Sequence, residues 1–247
     1  DDRGRGTYLA RTWQHGTVPA TTLDDEENLL LLLAPAGYGK SRELAEISIR
    51  SKRPSLVIPM ANALGPAQGD DAALTFLRWA RAGRAPEGKE PATPRLTDAR
   101  LRDESYVFAL DALDEISLAE RGAVLRVIAD VSSEFPQHRW VVSSRPLPVG
   151  CDLPGFAQYT LVADGAWISE YAERVGVTMR QVDQYLEHAP GVADLITIPV
   201  YGTAVVSQLR DGREPPTSAR GLVLSLTEDR VRAASDLWKP DQVLVWL

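Results

Sequence analysis

The stretch that most constrains the fold is LLLLLAPAGYGKSREL, which runs from Leu29 to Leu44. Five consecutive leucines predict a strand that is buried on both faces, as in the interior of a parallel sheet. A turn with two glycines follows, then a lysine and a serine, then a helical pattern. A strand, a glycine-containing turn and a helix in this order predict a phosphate site, because turn amides and helix N-termini both attract anions.

The turn is close to the pattern G-x-x-x-x-G-K-[S/T], with Ala34 in place of the first glycine. Two glycines let the backbone curl so that its N–H groups can face phosphate oxygens. Lys40 can neutralise the terminal phosphates, and the Ser41 hydroxyl can bind Mg²⁺. The alternative is a turn that contains Gly, Lys and Ser by chance, and the flanking strand and helix argue against it. The predicted nucleotide-binding residues of this turn are Ala34, Pro35, Ala36, Gly37, Tyr38, Gly39, Lys40, Ser41 and Arg42.

A second motif is acidic and follows a further apolar run, which begins at Tyr106. Asp111 at the tip of this predicted strand would hold Mg²⁺, as a Walker B acid does, so Ser41 and Asp111 are the predicted metal residues. Asp114 or Glu115 could orient or deprotonate an attacking water. The alternative is a solvated acidic turn, which the phosphate-binding pattern upstream makes the weaker interpretation.

A third motif is WVVSSRP, in which a predicted strand ends with Ser143, Ser144 and Arg145. Parallel strands present their carboxyl ends at one edge of the sheet, where open α/β sheets bind ligands. Arg145 is therefore predicted to contact the γ-phosphate, and the alternative is an ordinary surface arginine. The predicted catalytic residues are Asp114, Glu115 and Arg145.

The order of the elements predicts the fold class and the domains. Strand and helix patterns alternate up to residue 163, and only helical patterns follow. We predict an α/β P-loop NTPase fold, with a parallel sheet flanked by helices, followed by a small helical domain. The predicted boundaries are a lead-in segment over residues 1–28, the nucleotide-binding domain over 29–163 and the helical domain over 164–247.

Composition narrows the possible partners. The net charge is −7 and the pI is about 5.1, whereas nucleic-acid binders usually have a basic face. One cysteine excludes an internal disulfide, and the three scattered histidines lack the spacing of metal ligands. No apolar run reaches membrane-spanning length. We expect a cytoplasmic protein with no membrane or nucleic-acid partner, and we interpret the chain as a piece of a longer protein.

The three motifs together resemble the NACHT family of signalling NTPases, which belong to the STAND class and include bacterial anti-phage receptors similar to animal NLRs. Asp111-Ala112-Leu113-Asp114-Glu115 resembles the family signature D-[G/A/S]-h-D-E, and SSRP resembles its sensor-1 strand end. Pro199 resembles the helical-domain proline that packs near the adenine. The chain departs from the family at Ala34 and at Arg42, where a second Ser or Thr is usual. A winged-helix region cannot be placed, and the chain is interpreted as truncated before it.

The resemblance implies a switch that binds ATP and ADP with Mg²⁺ and hydrolyses ATP slowly. ADP would hold a closed monomer, and exchange for ATP would allow assembly into a homo-oligomer. Sensor and effector domains of the same chain would supply the trigger and the output. The usage of Ala, Arg and Asp suggests a bacterium with a GC-rich genome. With the resemblance, this implies an antiviral role in innate immunity, with a phage protein as a candidate trigger.

Other interpretations of the motifs remain open. An AAA-type ATPase motor or loader would hydrolyse ATP quickly and use an arginine from a neighbouring subunit. A pure binding module has no need of the extra acids in the second motif. The sequence does not determine the trigger, the effector, the number of subunits or the choice between ATP and GTP.

Overall fold

The computed structural model describes residues 13–15, 18–20, 27–61, 63–68, 70–83, 96–148, 153–161 and 165–237. The chain divides into two compact units, which we describe separately. The described residues of the sheet unit lie within Ala10–Val162, and those of the helical unit lie within Ala163–Leu247.

The sheet unit contains one sheet, which has seven strands among the described residues. The strands are β1 (Trp13–His15), β2 (Val18–Ala20), β3 (Leu29–Leu33), β4 (Ser55–Pro59), β5 (Val107–Asp111), β6 (Arg139–Ser144) and β7 (Ala157–Leu161). Their order across the sheet is β2-β1-β7-β3-β6-β5-β4. The five strands from β7 to β4 are parallel, which confirms the predicted α/β fold.

Helices flank this sheet because its central strands are apolar on both faces. The helices of the sheet unit are α1 (Lys40–Arg50), α2 (Ala72–Ala80), α3 (Asp98–Asp103) and α4 (Leu118–Glu134). Leu31 packs into a core that includes Phe76 of α2 and Ile128 of α4. Leu30 and Leu32 point the other way, into a core with Leu44 of α1. The five-leucine run therefore supplies side chains to two cores at once.

Residues 1–28, predicted as a lead-in segment, contribute two strands to the sheet. Strand β1 pairs antiparallel with β7 and with β2, so the hairpin extends the sheet beyond its parallel part. Each strand has only three residues, and β2 contains Pro19, which is tolerated at a sheet edge. Strands this short have no apolar alternation that a sequence pattern could reveal.

The helical unit packs around its own core. Its helices are α5 (Ala166–Arg174), α6 (Met179–His188), α7 (Ala193–Ile196), α8 (Pro199–Arg210) and α9 (Ala219–Leu237). Buried side chains from these helices, such as Trp167, Val182 and Val205, form one cluster. Among the described residues, no single helix is long and apolar enough to cross a membrane. The bent pair Pro190–Ile196 and Pro199–Arg210 meets that criterion only when both parts are taken together.

Candidate functional site

The turn between β3 and α1 has the backbone conformation that the sequence predicts. Gly37 and Gly39 have φ values of 83° and 85°, in the left-handed region where a side chain would be strained. Ala34 does not need this freedom, because Ala112 is the non-glycine residue with positive φ in the described part of the chain. Ala34 is buried, and its N–H donates to the carbonyl of Ser144 at 3.1 Å. Alanine therefore fits the position where the common pattern has glycine.

Lys40 lies folded against the turn from which it extends. Its ammonium donates to the carbonyl oxygens of Ala34 at 2.7 Å and Pro35 at 3.1 Å. Burial lowers the pKa of the Lys40 ammonium, and the nearby carboxylate of Asp114 opposes part of that shift. The Lys40 ammonium is thus a partly desolvated cation whose hydrogen bonds go to neutral carbonyls, and an anionic ligand could attract it away from them.

The strand order brings the three motifs together. Strand β6 lies between β3 and β5, so its carboxyl end separates the glycine turn from the acidic turn. Asp111 ends β5, and its Oδ1 accepts from the hydroxyl of Ser41 at 3.1 Å. The same oxygen accepts from the hydroxyl of Ser143 at 2.7 Å. The acidic strand end is thus linked to both neighbouring motifs.

The acidic turn itself has an unusual backbone. Ala112 has φ of 62° and ψ of 52°, a left-handed conformation that β-branched and bulky side chains tolerate poorly. Its N–H donates to Ser143 Oγ at 2.9 Å. A short 3-10 helix, Leu113–Glu115, follows and places two acids beside the end of β6. A β-branched or bulky residue at position 112 would therefore strain this turn.

Asp114 and Arg145 form a two-point contact. The Arg145 main-chain N–H donates to Asp114 Oδ1 at 2.9 Å, and the Arg145 Nε lies 2.8 Å from Oδ2. The Asp114 side chain is 14% exposed and that of Arg145 is 57% exposed. Glu115 is exposed at the end of the 3-10 helix. Both oxygens of Asp114 are therefore engaged, whereas Glu115 faces solvent.

Two further predicted residues, Arg42 and Pro199, belong to helices. Arg42 pairs with Glu46 one turn along α1, at 2.8 Å between guanidinium and carboxylate. Pro199 is the first residue of α8 in the helical unit, and its contact with adenine stays a prediction. Of the remaining turn residues, Pro35 and Ala36 are exposed and Tyr38 is half-buried against the core that contains Leu30.

Sequence reasoning missed two residues that organise the acidic turn. Ser143 appeared only as part of a strand end, and its contact with Asp111 depends on strand pairing that no local pattern reveals. Arg121 was not singled out, although its Nη2 donates to the carbonyls of Asp114 at 3.0 Å and Ile116 at 3.2 Å. An arginine seven residues after an acid, within a predicted helix, is too common a pattern to signal this role.

The donor set suits a hard cation. Ser41 Oγ and Asp111 Oδ1 are neighbouring oxygens at the start of α1 and the end of β5. In the described ranges, no cluster of three His, Cys, Asp or Glu side chains could hold a metal by itself. Mg²⁺ in nucleotide sites is typically bound through one or two carboxylates together with substrate phosphates. The residues therefore fit a magnesium ion that arrives with a nucleotide.

Comparison with known proteins adds little to this geometry. No model of a known protein family matches the chain, and no curated protein matches it. Among solved structures, a Walker-type ATPase of Pyrococcus abyssi is similar, with a TM-score of 0.49 and 16% identity over 86% of this chain and 73% of that chain. A similarity of this size does not identify a family. The strand–loop–helix turn and the strand-end carboxylate are features that P-loop NTPases share.

Proposed function

We propose that this chain binds ATP and ADP with Mg²⁺ at the turn between β3 and α1 and hydrolyses ATP slowly. The observation that supports the proposal is the convergence of three strand ends. At one edge of the sheet Ser41 contacts Asp111 and Asp114 contacts Arg145, and the charges of Asp111, Asp114 and Arg145 all act on Lys40. P-loop NTPases bind a nucleoside triphosphate and Mg²⁺ with the same kinds of group: a lysine, a hydroxyl with a carboxylate, and an arginine.

Each residue has a proposed role. Lys40 and the turn amides bind the phosphates, and Ser41 and Asp111 hold the magnesium ion, which neutralises phosphate charge. Glu115 is proposed to orient the attacking water, because its carboxylate is exposed whereas both oxygens of Asp114 are engaged. Asp114 holds the Arg145 side chain when no γ-phosphate is bound, and the Arg145 guanidinium is proposed to contact the γ-phosphate of ATP.

The finer proposal is a NACHT-like signalling switch. Its support is the sequence Asp111-Ala112-Leu113-Asp114-Glu115, together with the left-handed backbone at Ala112, which disfavours β-branched and bulky residues. The resemblance restricts this position to Gly, Ala or Ser.

In this proposal ADP and ATP stabilise different states of the protein. ADP holds a monomer, and ATP with a trigger such as a phage protein favours a homo-oligomer that gathers effector domains. Such a switch needs a difference of only a few kcal/mol in nucleotide affinity between the two states. In this proposal Pro199 packs near the adenine base, and the helical unit changes its state with the bound nucleotide.

Nucleotide binding is the first test. Labelled ADP and ATP are titrated into the wild type, Lys40→Ala and Lys52→Ala with Mg²⁺. Lys52 is an exposed lysine just after α1 and serves as the matched control. Loss of a charge that contacts phosphate costs about 2 kcal/mol, so Lys40→Ala should weaken binding roughly thirtyfold. Binding that is equal in all three proteins, or absent from the wild type, would refute the proposed site.

Turnover and assembly test the finer proposal. A switch releases phosphate at far below about one per second, whereas a motor turns over faster. Light scattering with ADP and with a non-hydrolysable ATP analogue reports assembly. Fast turnover with no change of mass would favour the AAA-type alternative.

A further inference from the structure

Ser143 both donates and accepts a hydrogen bond inside the site. Its side chain is fully buried at the end of β6, between the glycine turn and the acidic turn. The hydroxyl donates to Asp111 Oδ1 at 2.7 Å and accepts the Ala112 N–H at 2.9 Å. One hydroxyl therefore joins the strand-end carboxylate to the left-handed residue that follows it.

We propose that Ser143 is a positioning residue that fixes the Asp111 carboxylate toward the glycine turn and thereby sets the affinity for magnesium–nucleotide. The inference rests on the proposed function, because it assigns a supporting contact to the proposed metal residue. The χ2 torsion of an aspartate has only a broad preference, so the carboxylate can rotate. A buried hydrogen-bond donor on one of its oxygens restricts this rotation. Partners of this kind, outside the direct ligands, commonly tune metal affinity.

Ser41 cannot serve the same purpose. Its hydroxyl also donates to Asp111 Oδ1, but Ser41 is exposed and is the proposed metal residue of the glycine turn. Ser143 is buried, lies at the end of β6 and also accepts a hydrogen bond from the Ala112 N–H. The Ser143 contact is therefore the one that can persist while Ser41 and Asp111 bind a metal.

Strand β6 offers a matched control at the next position. Ser144 is as fully buried as Ser143, and its hydroxyl has no hydrogen-bond partner among the described residues. Ser144→Ala makes the same chemical change one residue along the strand without touching Asp111. Ser143→Cys keeps the side-chain size with a weaker donor and provides a second variant if Ser143→Ala does not fold.

The experiment measures ADP affinity in excess Mg²⁺ and in EDTA for the wild type and the three variants, with thermal unfolding of each nucleotide-free protein. The ratio of the two affinities reports the magnesium contribution alone. Ser143→Ala should reduce this ratio by about tenfold, and Ser143→Cys by less, while affinity in EDTA stays near that of the wild type. Ser144→Ala should leave the ratio unchanged.

The outcomes separate this inference from the proposed function. If the wild type binds no nucleotide, the proposed function fails. The proposed role of Ser143 is overturned if the wild type binds in a Lys40-dependent way and Ser143→Ala keeps the wild-type ratio. It is also overturned if Ser143→Ala and Ser144→Ala reduce the ratio equally, or if a folded Ser143→Cys keeps the wild-type ratio when Ser143→Ala does not fold.

Discussion

The contact between Asp114 and Arg145 predicts how ATP and ADP should differ in binding. Arg145 holds Asp114 through its main chain and its guanidinium, and the guanidinium is the group proposed to contact a γ-phosphate. ATP should therefore take the Arg145 side chain from Asp114, whereas ADP, which lacks the γ-phosphate, should leave it there. The substitution Asp114→Asn tests this, because the amide oxygen can still accept the Arg145 main-chain N–H.

The size of the effect follows from the exposure of the two partners. Exposed ion pairs contribute about 0.2–1 kcal/mol, and the upper end applies because the Asp114 side chain is only 14% exposed. Arg145 is 57% exposed, so solvent screening rules out a larger figure. Release of the pair should oppose ATP binding by about 1 kcal/mol, or about fivefold in Kd.

A double-mutant cycle isolates this energy. Kd values for ADP and a non-hydrolysable ATP analogue are measured by calorimetry for the wild type, Asp114→Asn, Arg145→Met and the double variant. Asp114→Asn should tighten analogue binding about fivefold more when Arg145 is present than in the Arg145→Met background. General repulsion between Asp114 and phosphate affects both backgrounds and cancels. An equal effect in both backgrounds, or the same coupling for ADP, would show that Arg145 does not leave Asp114.

Three further predictions concern stability. The pKa of buried His138 is lowered by burial from 6.5 to about 4, so stability should be complete above about pH 6.5 and fall by up to about 3 kcal/mol as the pH approaches 4. Urea unfolding at several pH values should show this loss in the wild type and not in His138→Gln. Gly202→Ala should lower the free energy of unfolding by about 1–3 kcal/mol in urea, because the added methyl overlaps Trp167 and the Ile196 carbonyl. The control Gly191→Ala meets open space and should be neutral or stabilising in the same measurement. Ala112→Gly should change stability by less than about 1 kcal/mol, since relief of left-handed strain offsets glycine entropy, but Ala112→Val should cost about 2 kcal/mol or more; equal melting of the two would contradict the strained backbone.

The parallel sheet could be predicted because its strands are read from local apolar runs. Leu30, Leu31 and Leu32 are all buried, on alternating faces, so a continuous run was the correct signal of a two-sided strand. The hairpin of β1 and β2 has no such run, and its strands exist through pairing with β7. A local sequence pattern reveals a strand only where the strand's own side chains are apolar and become buried.

The candidate site divides in the same way. Residue types and chain order indicated that the glycine turn, the acidic turn and Arg145 share one sheet edge. They did not indicate that β6 lies between β3 and β5, which is a property of tertiary pairing. The contact of Ser143 with Asp111 depends on that order and on the parallel register that sets Leu110 opposite Val142. The sequence allows roles to be predicted from a residue's own chemistry, but it does not reveal contacts that depend on the residue's neighbours in the fold.

The position of Lys40 explains why a phosphate group should be the preferred ligand of the turn. The ammonium is partly desolvated and is satisfied by the carbonyls of Ala34 and Pro35, which are neutral acceptors. Exchange of these for phosphate oxygens replaces neutral acceptors with negatively charged ones, so that the attraction between opposite charges is added to each hydrogen bond. A neutral ligand offers no such gain, because it would only substitute one neutral acceptor for another. We therefore expect Lys40 to favour anion binding, and its pKa should rise toward the ordinary value when phosphate binds.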